Sequence, residues 1–176
     1  MDLAIEIALS ISMQSRSFAS THGLDDAALQ ESWRRTWWQI CILDAYYAAM
    51  MQTTSALMCE SEIDITTDLP CEEIDYETGI IPVPKTIEEF HSRDVTVGNH
   101  TFSSFAYLVG ALQAVSCVKE SSSVEHTSGS RIHPSESLSI ATEAWLLLLP
   151  DSKKAVHFKN GEIDELMFQA HMTIQA

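Results

Sequence analysis

Three observations predict an all-α fold for this chain. Each long segment with a regular apolar pattern repeats at helical spacing, and none alternates as a half-buried strand would. The stretch from Glu31 to Gln52 (ESWRRTWWQICILDAYYAAMMQ) is apolar nearly all round, with Gln39 and Asp44 the only strongly polar side chains between Trp37 and Met51. A helix of that kind lies inside a larger helical body. Pro70, Pro82 and Pro84 confine the non-helical part to one region, because each removes a backbone donor and clashes with a preceding turn.

The first helix is predicted from Asp2 to Met13. Asp2, Glu6, Ser10 and Gln14 form a narrow polar stripe, while Leu3, Ile5, Ile7, Leu9 and Ile11 occupy the remaining faces. The Ser-rich segment Ser15 to Leu24, with Gly23, is expected to break it. Asp25 or Asp26 then caps the long second helix, which ends near Thr53-Thr54-Ser55. Residues 56–100 are expected to be mostly irregular, apart from a short helix at Ile87 to Ser92. A third long helix runs from Thr101 to Val118, with Phe102, Phe105, Val109, Leu112 and Val115 near helical spacing. Lys119 to Pro134 (KESSSVEHTSGSRIHP) reads as a polar, Ser-rich loop. A fourth helix spans Ser135 to Leu149 and stops at Pro150; the last starts near Glu162 and is still helical in character at Ala176.

At 176 residues, with 45% hydrophobic and 8% aromatic content, the chain is long enough for one domain with its own core. Its net charge of −15 comes from 25 acids against 10 bases. Such a surface repels nucleic-acid phosphates and anionic membranes. No Lys or Arg falls between Arg35 and Lys85, whereas Asp44, Glu60, Glu62, Asp64, Asp68, Glu72, Glu73, Asp75 and Glu77 all do, an acidic stretch that reads as a solvated surface. Lys153-Lys154 reads as a loop pair after Pro150. The longest apolar run is interrupted at Gln39 and Asp44 and is too short to span a bilayer, so no membrane partner is expected.

Cys41, Cys59, Cys71 and Cys117 form no C-x-x-C pair and are expected to be free thiols. The seven histidines show neither i, i+4 pairing nor an H-E-x-x-H run, so no metal site is expected here. No G-x-S-x-G elbow, P-loop or G-x-G-x-x-G is present, and the chain is expected not to be an enzyme. Three features of the long helix carry more information. Glu31 precedes Arg34 and Arg35 by three and four residues, the favourable acid-before-base order. Asp44 sits among Ile40, Ile42, Leu43, Tyr46 and Tyr47, where an unpaired carboxylate costs several kcal/mol. Arg34 and Arg35 lie about 15 Å away along the same helix, so the partner of Asp44 is expected to be a helix N-terminus or another arginine. Trp37 and Trp38 read as core anchors, each needing an acceptor for its indole N–H; the alternative is that they line an apolar cavity for an effector.

Arg34-Arg35-Thr36-Trp37-Trp38, then Ile42-Leu43-Asp44, Ile63-Asp64-Ile65 and Leu69-Pro70, resemble the fungal-specific transcription factor domain. This is the middle homology, or xylanolytic activator regulatory, region of fungal zinc-cluster regulators. Leu3 to Leu9 with His22-Gly23-Leu24, and downstream Trp145, Leu149-Pro150 and Leu166 to Ile174, resemble its flanking helices less densely. The resemblance implies that Arg34, Arg35, Trp37, Trp38, Asp44, Asp64 and Pro70 are motif residues with a structural or regulatory role. It also implies a nuclear protein regulating transcription by RNA polymerase II. DNA and zinc would be bound only by a six-cysteine module absent from these residues, so no cofactor is expected in this chain. Transcriptional co-regulators, a small-molecule effector or a second copy are the partners it implies. Residues 1–176 read as a single partial domain, truncated at both ends, because the first and last helices are of buried type and uncapped. The alternative reading is a stand-alone helical module that binds a hydrophobic small molecule or a partner protein.

Overall fold

The computed structural model describes residues 2–52, 56–60, 62–93, 101–125, 134–158 and 161–175. Within them the fold is all-α: α1 (Asp2–Ser10), α2 (Arg16–Gly23), α3 (Ala27–Met51), a 3-10 turn (Leu57–Cys59), α4 (Glu73–Thr78), α5 (Ile87–His91), α6 (Ser104–Glu125), α7 (Pro134–Leu147), α8 (Asp151–Lys154) and α9 (Glu165–Gln175). Extended pairing among the described residues is limited to two isolated antiparallel bridges, Leu69 with Lys85 and His157 with Ile163.

The body is built around α6, whose residues from Phe105 to Leu112 are apolar on nearly every face and are buried. It packs mainly on α9 and α7, and also on α3 and the 3-10 turn. The α3 helix starts at Asp26, whose carboxylate accepts from Ala28 N (2.9 Å) and Leu29 N (3.0 Å), and its cap residue Gln52 turns left-handed at φ 55°. Trp37, Trp38, Cys41, Ile42, Ala45 and Ala48 form its core face. The expected terminus at Thr53 to Ser55 lies outside the described residues.

Several elements differ from the sequence reading. The first helix stops at Ser10, and the chain turns through Ser12 at φ 62°. Ser15 to Leu24, expected as a break, contains α2. Its serines are poor helix formers, but Phe18 and Ala19 are buried, with the Phe18 ring edge-on to Trp33 at 5.4 Å, so tertiary packing overrides local propensity. Gly23 permits the close crossing of α2 and α3, since a Cβ there would come within 2.8 Å of the Gln30 backbone nitrogen. The acidic region holds α4, with Glu73 and Asp75 in its first turn and Gly79 at φ 71° after its end. The short α5 carries a Thr86–Glu89 capping box, and Phe90 packs edge-on to Phe102 and Tyr107. A Cβ at Gly110 would strike that Phe90 ring. The α6 helix overruns the expected loop start at Lys119 and continues to Glu125; the rest of the Ser-rich segment, 126–133, lies outside the described residues.

The cysteines also require a correction. Cys59 and Cys117 are joined as a disulfide with a Cα–Cα distance of 5.5 Å, because the 3-10 turn folds back onto α6. Cys41 and Cys71 are free thiols. Leu3 and Ile7 on α1, Ile11 just after it, and Phe168 and Met172 on α9 are exposed despite their apolar character.

Candidate functional site

Beneath the acidic segment runs a seam of buried charge. The Glu31 side chain, 1% exposed, accepts from Arg34 Nε through Oε2 (2.9 Å) and from Arg35 Nε through Oε1 (3.1 Å). Helical spacing alone would give this triad. The tertiary step is that Glu31 Oε1 also accepts the backbone N–H of Cys71 (2.9 Å), forty residues away. Arg35 reaches the same strip of chain: its guanidinium donates to Glu73 Oε2 (2.6 Å) and to the carbonyls of Cys71 (3.0 Å) and Glu72 (3.3 Å), and lies 4.3 Å from the centre of the Tyr76 ring. Burial works against the charge on Arg35. Its hydrogen bond to Glu73 and the charges of Glu73 and Glu31 more than offset that, so it titrates above the usual arginine range.

A second cluster holds the same strip from the opposite side. Lys153, 7% exposed, donates to Glu72 Oε1 (2.6 Å) and to Ser104 Oγ (2.6 Å). Ser104 Oγ donates in turn to Asp164 Oδ2 (2.6 Å), while Asp164 Oδ1 accepts from Met167 N (3.1 Å) in the first turn of α9. Glu72 Oε2 accepts from the backbone N–H of Ser104 at the start of α6 (3.2 Å). Glu72 is therefore the junction: α3 holds its carbonyl, and α6 and α8 hold its carboxylate. Such clusters fix geometry more than they stabilise, because each buried charge has given up hydration.

The motif residues are placed as follows. Arg34 and Arg35 belong to the seam. Pro70 is buried, and its carbonyl accepts from Ser103 Oγ (2.6 Å) beside the seam. Trp38 is 2% exposed and donates its indole N–H to the Asp68 carbonyl (2.9 Å), so it too holds the acidic strip. Trp37 is fully buried, but its indole nitrogen has no hydrogen-bond partner among the described residues, contrary to expectation. Asp44 lies apart, half-buried, with Oδ2 accepting from the first backbone N–H of the 3-10 turn, Leu57 N (2.7 Å). That is the helix-terminus partner expected of it. Asp64 is exposed and outside the seam.

Sequence reasoning missed Glu72, Ser104, Lys153 and Asp164, and read the lysine as a loop residue. Asp68, counted within a solvated acidic surface, is paired with Arg16 (2.8 Å).

Against the seam lies a cavity of about 230 Å³, walled by Glu31, Cys71, Glu72, Asp75, Lys85 and Phe102 among others. Lys85 Nζ donates to the Thr101 carbonyl (2.7 Å) and sits 4.9 Å from the Phe102 ring centre. The Cys71 thiol in its wall is pushed up to about 11 by burial and by the charge of Glu31, so at neutral pH it is a protonated, weakly nucleophilic group. Among the described residues, no group of three or more His, Cys, Asp or Glu is arranged to hold a metal ion. No helix among them is long and apolar enough to cross a membrane.

Comparison with known proteins places this architecture. The family model described as the fungal specific transcription factor domain matches residues 1–126, which include Glu31, Arg34, Arg35, Glu72 and Ser104. The C6 finger domain transcription factor iacK of Pestalotiopsis fici is 33% identical over 171 residues, covering 96% of this chain and 24% of that protein. The chain thus spans about a quarter of the length of that curated relative. No solved structure matches it. With the family model covering well over half of the residues and the relative aligned across nearly all of them, the chain belongs to the fungal specific transcription factor domain family.

Proposed function

We propose that this chain is the regulatory domain of a fungal zinc-cluster transcription factor, acting in the nucleus on transcription by RNA polymerase II. The observation that carries the reading is the family match over residues 1–126, in a family of transcription factor domains and not of enzymes. The relative named as a C6 finger transcription factor supports it. In this reading DNA and zinc are held by a cysteine-rich module outside these residues, and the −15 chain contributes no phosphate contacts. A signal enters through the acidic strip, which α3 grips through Glu31, Arg35 and Trp38, and α6 and α8 grip through Ser104 and Lys153. A small effector would enter the cavity beside it; a co-regulator or a second copy would contact the exposed apolar residues of α1 or α9.

The division of labour is tested by metal analysis of the purified chain together with a duplex-DNA titration at low salt. The expected result is neither zinc nor duplex binding. Near-stoichiometric zinc, or submicromolar salt-sensitive duplex binding, would overturn it.

A further inference from the structure

The Cys59–Cys117 bond occupies a mechanical position that the regulatory reading does not use. It links the end of the 3-10 turn to α6, 58 residues on. At its other end the turn is held to α3 by the Asp44 carboxylate on Leu57 N (2.7 Å). Beyond the burial of Leu57 and Met58, the turn is pinned at its head by a hydrogen bond and at its end by a covalent bond, and the chain leaving it runs into the strip gripped by Trp38 and Arg35. Both bonded cysteines are partly accessible, whereas Cys41 is fully buried. The two remaining thiols are both biased toward the protonated form, by burial first and then by Asp44 or Glu31, so neither competes well for an oxidant. Inside cells, disulfides in proteins of ordinary organisms form and open with the thiol pool instead of persisting as fixed staples.

We propose that Cys59 and Cys117 form a reversible thiol–disulfide switch, closed by a low-molecular-weight disulfide of the glutathione class and reopened by thiols. One cysteine thiolate attacks a sulfur of glutathione disulfide, forming a mixed disulfide and expelling one glutathione thiolate. The second cysteine attacks the protein-bound sulfur, forming the Cys59–Cys117 bond and expelling the second. Two electrons pass from the protein thiols to glutathione, and the two thiol protons end on the released glutathiones. Closing the bond fixes the 3-10 turn on α6; opening it leaves the turn held by its Asp44 contact and by the buried Leu57 and Met58 side chains, and loosens the Cys59 end that leads to the acidic strip. The switch rests on the intracellular location of the proposed function, though not on what the domain regulates.

The test is to equilibrate the full chain in mixtures of reduced and oxidised glutathione, quench with an alkylating reagent, and map the labelled cysteines by mass. Cys59 and Cys117 are expected to pass together from labelled to protected in one two-electron step as the mixture becomes oxidising, with Cys41 unlabelled in the folded protein throughout. Cleavage by a protease within 56–60 is expected to be several-fold faster on the reducing side. Replacing either partner (Cys59→Ser or Cys117→Ser) should abolish the step, and Cys71→Ser should leave it intact. Labelling of both cysteines at every ratio, protection of both at every ratio, or separate glutathione adducts on each would overturn the proposal, and the unsubstituted chain alone distinguishes these outcomes.

Discussion

Replacing Glu31 by alanine removes one carboxylate and strands three donors. Arg34 Nε (2.9 Å) loses its acceptor in a side chain only 5% exposed, Arg35 Nε loses a 3.1 Å contact, and Cys71 N loses a 2.9 Å one. Breaking a buried ion pair from one side costs about 3–5 kcal/mol, and an orphaned buried backbone donor about 1–3 kcal/mol. Arg35 loses less, because Glu73 and two carbonyls still hold it. These terms share partners and do not add, so the expected loss is about 4 kcal/mol, a large part of the roughly 5–15 kcal/mol that keeps a domain folded. Urea unfolding followed by far-UV circular dichroism measures it. Glu31→Gln, which keeps an uncharged acceptor, should lose about half as much. Removing both ends of the buried pair with Glu31→Leu and Arg34→Met should cost less than the sum of the two single changes, with a coupling of about 1–3 kcal/mol. As a control, Asp151→Ala breaks an ion pair with Lys154 that is exposed on both sides and should leave the midpoint unchanged. A loss below about 1 kcal/mol for Glu31→Ala would refute the argument, since a value that small is what a solvated pair gives.

Two further outcomes follow from the same geometry. The Cys71 thiol is held at about 11 against an ordinary 9.0, a raised value on an acid that is neutral when protonated. Its contribution to stability is therefore complete below about pH 9 and is lost as pH rises toward 11; Cys71→Ala should flatten that alkaline decline in a series of urea midpoints. Asp44→Ala should cost about 2 kcal/mol by removing the acceptor at the head of the 3-10 turn, and Asp44→Asn distinctly less, both read from the same unfolding curves.

What the sequence disclosed is what local spacing encodes. Glu31 with Arg34 and Arg35 and the Asp26 cap are visible within a few residues of one another, but the apolar circumference of α3 overstated its burial, since Leu43, Tyr46, Tyr47, Met50 and Met51 are exposed. The short α4 was not visible, because fewer than two helical turns, half of their side chains acidic, carry no readable apolar period. The α2 helix was hidden for a different reason: its stability comes from Phe18 meeting Trp33, a contact no window of serines reveals. The far side of the seam depends on separations of 81 residues between Lys153 and Glu72 and 60 between Ser104 and Asp164. Nothing in a lysine pair after a proline distinguishes a buried hub from a solvated loop. The Cys59–Cys117 bond was missed on the same ground, as its partners meet only once the 3-10 turn lies on α6.

The regulatory role is tested most directly by joining this chain to a heterologous zinc-cluster DNA-binding module and measuring reporter transcription in a fungal host. The joined protein is expected to change reporter output relative to the module alone, and Glu31→Ala, which removes the Glu31 contacts from the α3 grip on the acidic strip, is expected to move output toward the level of the module alone. Output equal to that of the module alone, with the joined protein folded and present in the nucleus, would contradict it.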